Sequence, residues 1–420
     1  MMFKASKTTR RSRRVLIVVE NLPARRDRRV WRECQALVSA GYGVSVISPR
    51  APGGPAFEEI EGIRSYTYPA PPEARSKLSF VYEYFYSWLM AALLSVKVLM
   101  RDGFDAIQVC NPPDTYFLLG RLYRLFGKPF VFDHHDLAPE VYLTRFGDGN
   151  ALLVHALRAM ERATFRAATH VISTNESYRQ VALGRGGRPP HAVTVVRNGP
   201  DLDLMQVVPS RPELRNGRSY LCCWFGNMGP QDGVHLALEA IGRIVHERGQ
   251  RDCHFVFMGT GDALDDMRRR AAALDVEDWT TFTGWISDEL AFAYLSTADI
   301  GLSADPPGPL NDVSTMNKTM EYMAFGLPVV AFDLKETRVS AAEAAVYAPG
   351  SDVAAYADLI VALLDAPHRR AEMGRIGRQR VERSLAWRHQ RDAYVGVYDR
   401  LLARPDLILA VARDTRVPHR

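Results

Sequence analysis

The sequence predicts an α/β protein of two Rossmann-like domains, each a parallel sheet wrapped by helices, facing each other across a cleft. Three observations carry that expectation. Short β-branched runs alternate with longer amphipathic ones, the alternation lapses once into a polar stretch with two prolines before restarting, and 420 residues are too many for one ordinary core.

Taken in order, Val15–Val19 (VLIVV) reads as a buried strand and Val30–Ala40 as a helix, which Gly41 and Gly43 break ahead of a strand at Val44–Ser48. Strands at Asp105–Val109, Pro129–Phe132, His170–Thr174 and Val193–Val196 follow, each separated by a helical stretch. Apolar runs of this length, bounded by turn residues and spaced by helices, mark a parallel sheet covered on both faces. At Val207–Arg218 (VVPSRPELRNGR) the pattern lapses. The second series has strands at Tyr220–Phe225, His254–Met258, Trp279–Phe282, Asp299–Ser303 and Pro328–Phe332, with helices over Val234–Arg248, Ala263–Leu274 and Asp288–Ala298. Ala386–Ala403 reads as a final helix carrying Trp387, Tyr394, Tyr398 and Leu401, with the chain frayed beyond Pro405. The expected divisions are a basic flexible tail (1–14), an N-terminal domain (15–205), a linker (206–218), a C-terminal domain (219–385) and a closing helix (386–405).

Composition narrows the function. Apolar residues make up 47% and charged residues 24%, the mix of a globular protein rather than a disordered or fibrous one. Residues 1–32 hold eleven Lys or Arg against Glu20 and Asp27, so the net +5 leaves the remaining 388 residues at −4. A basic end rather than a basic surface argues against a nucleic-acid partner. Cys34, Cys110, Cys222, Cys223 and Cys253 form no zinc spacing and read as buried thiols of a reducing compartment. Val15–Val19 is too short for a secretory core, and charges at Glu83 and Lys97 interrupt the longest apolar stretch, 80–100, which points to a cytoplasmic protein.

In open parallel sheets ligands bind beyond the carboxyl ends of the strands. In the second half those loops are rich in glycine, at Gly226, Gly259 and Gly261 among others. The stretch 303–328 is the most informative. Ser314 or Thr315 can cap a helix running through Ala324, which Gly326-Leu327-Pro328 ends. Lys318 and Glu321 share one face of its first turns. Amide groups, a positive dipole end and a lysine suit a diphosphate, and a carboxylate one turn on suits the two hydroxyls of a ribose. Taken alone, a surface Lys/Glu pair at i,i+3 is the commoner meaning of such spacing.

With EYMAFGLPVV (321–330), VENLPARRDRRVWRE (19–33), DHHDLAPEVY (133–142), STNESYR (173–179) and VVRNGPD (195–201), nearly the whole chain resembles family 4 retaining glycosyltransferases of the bacterial polysaccharide and glycolipid type, which have the GT-B fold. The resemblance makes the N-terminal domain the acceptor domain and the C-terminal one the nucleotide-sugar donor domain. It also implies a closing helix that returns to the N-domain and hinges the cleft. It gives Glu321 to the donor ribose and Lys318 to the donor phosphates, and places a cleft-facing histidine in DHHD, here His135. His134 and His135 point opposite ways along a strand, so one of them faces inward. Two departures stand out. The first glutamate of the family's Glu-x7-Glu pair falls on Val313, beside Asp312, and two usual cations fall on Asn227 and Asp232. Lys318, Arg29 and Arg197 are the remaining cations for a diphosphate. The expected catalytic set is His135, Asp312 and Glu321, and the expected donor-binding set is Glu321, Lys318, Asn317, Gly226, Asn227, Gly259, Gly261, Trp285, Arg197 and Arg29.

The resemblance implies transfer of a hexose from a nucleotide-diphosphate sugar to a hydroxyl of a glycan or glycolipid. The chemistry it implies is front-face, with no metal and no cofactor beyond the donor. A nucleotide-sugar epimerase on the same fold, or a non-catalytic nucleotide-sugar-binding subunit, stands as the alternative. No G-x-G-x-x-G follows VLIVV, which disfavours a dehydrogenase. Across 80–100, Glu83, Ser87, Ala91 and Ser95 form one narrow small or polar stripe, with Tyr82, Tyr84, Phe85, Tyr86 and Trp88 clustered at one end. Such a helix is either buried in its domain or, with the basic tail, attached peripherally to the inner face of the cell membrane, and pattern alone weighs the two equally.

Overall fold

The computed structural model describes residues 12–71, 77–146 and 150–402. Most of the basic tail and the region expected to fray lie outside these. The chain divides into two compact units. The first takes residues up to Pro139, Asn150–Val196 and the chain from Arg391 on; the second takes a short stretch from Glu140 and Arg197–Gln390.

The first unit is built on strands β1 (Arg14–Val18), β2 (Gly43–Pro49), β3 (Phe57–Ile60), β4 (Ile63–Tyr68), β5 (Ala106–Cys110), β6 (Phe130–His134), β7 (His170–Ser173) and β8 (Val193–Val195). They form one sheet in the order β3-β4-β2-β1-β5-β6-β7-β8, parallel except for β3 against β4. Val15, Leu16, Ile17 and Val18 are wholly buried, as a central strand covered on both faces requires. The β3–β4 hairpin departs from the expected strict strand–helix alternation. Its two-residue turn, Glu61-Gly62, has positive φ at both positions, the conformation that matches strand twist.

The second unit holds β9 (Tyr220–Phe225), β10 (Cys253–Met258), β11 (Thr280–Gly284), β12 (Ile300–Ser303), β13 (Val329–Phe332) and β14 (Ala345–Ala348), all parallel in the order β11-β10-β9-β12-β13-β14. The helix expected over 234–248 is regular only through Gly242 and continues as a wider π-type turn, Arg243–Glu247. Residues 206–218, expected as a linker, lie within this unit. Val208 N–H donates to Ser296 Oγ, Arg211 N–H donates to Thr297 Oγ1, and Arg215 pairs with Asp299 at 2.5 Å. All five cysteines are buried free thiols.

The helix Lys77–Arg101 turns its small stripe inward. Ser87, Ala91 and Ser95 are buried, while Tyr82, Phe85, Leu89, Leu93, Val96 and Met100 are exposed. Small side chains let the helix lie close on its sheet, so the bulky ones are left outside.

Strand order fixes where loops meet. The order reverses between β1 and β5 in the first unit and between β9 and β12 in the second. At such switch points the flanking loops diverge and leave a crevice.

Candidate active site

In the first unit, residues following β1, β5 and β6 converge. Asp27 caps the helix Arg28–Ser39, its carboxylate accepting from the amides of Arg29 and Val30. That helix carries Arg29 and Glu33 inward over the strand ends. Arg29 Nη2 donates to Asp133 Oδ1 at 2.8 Å, and Nη1 to the Val196 carbonyl at 2.9 Å. Its Nε lies 3.1 Å from Glu33 Oε1 and 3.3 Å from Asp133 Oδ2. Gln108, buried in β5, donates from Nε2 to Glu33 Oε2 at 2.7 Å.

His135 sits on the edge of this cluster. Its Nε2 is 2.6 Å from Asp133 Oδ2 and 2.9 Å from Arg29 Nε. One ring nitrogen cannot donate and accept at once. Burial opposes a charge on the ring, but the carboxylate of Asp133 outweighs it and raises the His135 pKa. Nε2 is therefore the donor to Asp133, and the Arg29 Nε–H is left to the carboxylates. Desolvation resists ionisation of Asp133, yet Arg29 and His135 together hold it well below the usual carboxylate range. Burial and the Asp133 charge push Glu33 upward.

Asn111, just past β5, fixes the loop that presents His135. Its Oδ1 accepts from the amides of His135 (2.7 Å) and Asp136 (3.2 Å), and its Nδ2 donates to the Asp136 carbonyl. His134 points the other way, packed among Phe132, Phe165 and Tyr178, where burial lowers its pKa to about 3. Among the described residues, Cys110, Asp133 and His135 bring ligand atoms within 4.8 Å of one another. The Arg29 guanidinium already occupies that spot, and its charge opposes a metal ion there.

In the second unit the loops after β9, β10 and β12 meet the start of the helix Asn317–Ala324. Gly226 and Gly259 lie back to back: a Cβ on Gly259 would fall 1.8 Å from the Gly226 carbonyl, and both have positive φ. Gly261 is similarly pressed on Met228, whose amide donates to the Thr260 carbonyl at 2.7 Å. This close backbone crossing is what the glycines serve. Beneath it lies Lys318, buried, with Nζ 2.7 Å from Asp305 Oδ1, 3.5 Å from Asp232 Oδ1 and 4.7 Å from the Trp224 ring centroid. Desolvation works against the ammonium, but Asp305 and Asp232 keep it charged and raise its pKa. Ser303 Oγ donates to Asp305 Oδ2 at 2.8 Å, and the Asp232 carboxyl is raised by burial despite Lys318.

The helix starts differently from expectation. Met316 occupies the N-cap without a side-chain hydrogen bond, because Ser314 Oγ donates back to the Leu310 carbonyl. Asn317 is exposed in its first turn, and Glu321 is half-buried one turn past Lys318. Asp312 is half-buried in the preceding short turn, Asn227 is exposed, and Trp285 is 81% exposed just beyond β11.

Two expected diphosphate cations are placed otherwise. Arg29 is 5% exposed and its guanidinium is committed to Asp133, Glu33 and Val196. Arg197 faces the buried Glu336 at 3.6 Å, and its amide donates to Gln390 Oε1. Sequence reasoning passed over Glu33, Gln108, Asn111, Asp133 and Asp305. For Gln108, Asn111, Asp133 and Asp305 the signal was a polar residue inside an apolar strand, as in AIQVC and FVFDH, or just past a strand end; Glu33, within a helix, gave none.

Comparison with known proteins agrees with this architecture. Residues 27–199 match the family model "Glycosyl transferase 4-like domain" and residues 219–366 the model "Glycosyl transferases group 1". Over 397 residues the chain is 25% identical to a 2-deoxystreptamine glucosyltransferase of Streptomyces kanamyceticus, covering 89% of this chain and 98% of that protein. Among solved structures, sucrose-phosphate synthase from Thermosynechococcus elongatus superposes with a TM-score of 0.78 at 19% identity, covering 93% of this chain and all of that one. Anabaena HepE in complex with UDP-glucose superposes with a TM-score of 0.68 at 13% identity, covering 92% and 99%. The two matched models and the two parallel-sheet units lead to one conclusion: this chain belongs to the family 4-type glycosyltransferases with the GT-B fold.

Proposed function

We propose that the protein moves a hexose, with retention, from a nucleotide-diphosphate sugar to a hydroxyl of a glycan or glycolipid. The observation that carries this is the buried Lys318 beneath the glycine crossing, at the switch point of the second sheet. In this scheme Lys318 and the first amides of the helix Asn317–Ala324 take the diphosphate, with Gly226, Asn227, Gly259 and Gly261 as its backbone wall. Glu321 takes the ribose, Trp285 borders the donor, and Asp312 stands in for the missing first glutamate. The full-length glucosyltransferase relative and the UDP-glucose complex of HepE support a nucleotide-hexose donor. The bond from C1 to the diphosphate oxygen breaks as the bond to the acceptor oxygen forms on the same face, and the acceptor proton passes to the leaving phosphate. His135 orients the sugar. Neither a metal nor another cofactor takes part, so activity in EDTA should equal that with Mg²⁺.

A thermal-shift panel of UDP, GDP, ADP and dTDP sugars identifies the donor, since a bound ligand raises Tm by mass action. His135→Ala should lower kcat while donor affinity holds, and NMR of the product anomer tests retention. One observation favours a second possibility, a donor-binding subunit without turnover. Asp305 and Asp232 already neutralise Lys318, and Asp232 stands where the family carries a cation. Donor binding without turnover on any acceptor would decide for it.

The acceptor side extends to a lipid surface in this proposal. No helix among the described residues is long and apolar enough to cross a membrane. The exposed row Tyr82, Phe85, Leu89, Leu93, Val96 and Met100 lies on a helix joined to the helix Phe117–Leu125 by the Ser95–Tyr123 hydroxyl contact at 2.8 Å. Arg124 joins the latter to the helix Ala151–Ala167. Across the three helices Lys97, Arg101, Arg121, Arg124, Arg158, Arg162 and Arg166 are exposed, while Glu83 is half-buried and Glu161 buried. Apolar insertion plus unopposed positive charge suits an anionic bilayer. Flotation with anionic but not zwitterionic liposomes is the expected result.

A further inference from the structure

We propose that Gln108 is a positioning residue for His135, and that the phenols of Tyr394 and Tyr398 set its orientation. The proposal rests on His135 acting at the transferred sugar. Gln108 lies in the middle of β5 with no exposed surface. Its Oε1 accepts from Tyr394 Oη at 2.8 Å and also from Tyr398 Oη. Two phenol donors at the carbonyl end leave the amino end for the acids, where Nε2 is 2.7 Å from Glu33 Oε2 and 3.2 Å from Asp133 Oδ2. Turned over, the amide would set its carbonyl oxygen against both carboxyls, and oxygen lone pairs would face one another with no hydrogen between them.

The atom that matters is Asp133 Oδ2. It faces Gln108 Nε2 at 3.2 Å, Arg29 Nε at 3.3 Å and His135 Nε2 at 2.6 Å. Three donors on one oxygen fix the rotation of the carboxylate and favour its ionised form. The ionised form is what keeps a proton on the imidazole. Phenol, amide, carboxylate and imidazole thus make one continuous buried chain that begins on the helix Trp387–Leu402 and ends on a side chain 14% exposed to solvent. The tyrosines are 286 and 290 residues from Gln108 in sequence, and Tyr394 and Tyr398 pack edge to face at 5.4 Å.

The test uses the full-length enzyme. The double variant Tyr394→Phe, Tyr398→Phe keeps the ring packing and removes both donors. Histidine-ring NMR, with His135→Ala for assignment, follows the His135 titration in the parent, the double variant, Gln108→Leu and Asp133→Asn. The expected result is a lower His135 pKa in all three, with kcat down roughly tenfold and donor KM little changed. A folded double variant, by circular dichroism, whose His135 titrates as in the parent overturns the proposal and leaves the tyrosines a packing role. So does an unmoved titration in Asp133→Asn. Full turnover in His135→Ala would instead remove the sugar role, while the titrations still decide whether the chain exists.

Discussion

Each unit buries one cation between two carboxyls beside its switch point, and the two are not equivalent. In the first unit Arg29 meets Asp133 and Glu33; in the second Lys318 meets Asp305 and Asp232. The guanidinium is a planar fork whose donors are matched to acceptors held by three different elements, so no ligand can recruit it without breaking the cluster. The ammonium is a point charge with one short contact and one of 3.5 Å, and the Asp232 carboxyl that makes the long one is 20% exposed. A phosphate can displace that weaker partner. Under the proposed function, the same local formula positions in one unit and binds in the other.

The largest effect expected from breaking this contrast is at Arg29. Arg29→Ala strands two buried carboxyls and should cost about 3–5 kcal/mol in urea unfolding, while Arg29→Lys should recover part of the loss. Donor affinity in the folded fraction should hold. A donor Kd that rises as much as the stability falls would make the two cations alike.

Within the first cluster the adjacent histidines sharpen the contrast further. His134 has a folded pKa near 3 against 6.5 when unfolded. The unfolded chain thus takes up a proton that the native state refuses, and stability falls as pH drops from 6.5 towards 3. His134→Phe should remove roughly 3 kcal/mol of that loss at pH 4. His135 has the opposite sign: its raised pKa contributes stability below pH 6.5 that disappears as pH rises through the folded value. Thermal melts at pH 4, 6 and 8 on both single variants separate them.

At Lys318 the change should appear in binding. Lys318→Met keeps the stem on Trp224, and nucleoside diphosphate affinity should fall about tenfold to a hundredfold, the worth of one or two charge-assisted hydrogen bonds. Affinity for the nucleoside alone should not change, as calorimetry can check. Asp232→Asn should have the smallest effect, tightening diphosphate binding a few-fold, about 0.5–1 kcal/mol, by removing a half-buried like charge. Weaker binding in that variant would mean that Asp232 orients Lys318 rather than competing for it.

How much of this was legible in the sequence differs between the units. In the second, β9 to β13 lie close to where they were expected, because turn residues bound each run, whereas β14 was not expected. That His134 and His135 turn opposite ways followed from strand alternation, while the choice between them came from the resemblance. The β3–β4 hairpin did not follow, since Phe57–Tyr68 carries charges through its strands and turns on Glu-Gly rather than Asn-Gly. Nor did the commitment of Arg29. Its partner Asp133 is 104 residues away, and from sequence a basic side chain beside a strand end is equally a phosphate ligand or half of an ion pair. Which face of the helix Lys77–Arg101 turns inward was not legible, because a stripe of small residues is equally a polar edge and room for close packing.

The helix Trp387–Leu402 has a consequence for the order of synthesis. Gln108 receives its phenol donors from residues 394 and 398. The whole first sheet, and then the second unit, are polymerised before those two tyrosines exist. Until they arrive the amide of Gln108 is free to turn and the acids beside it lack a fixed donor. The first unit made is thus the last one finished: its buried line of hydrogen bonds from phenol to imidazole closes only after residues 394 and 398 have been added.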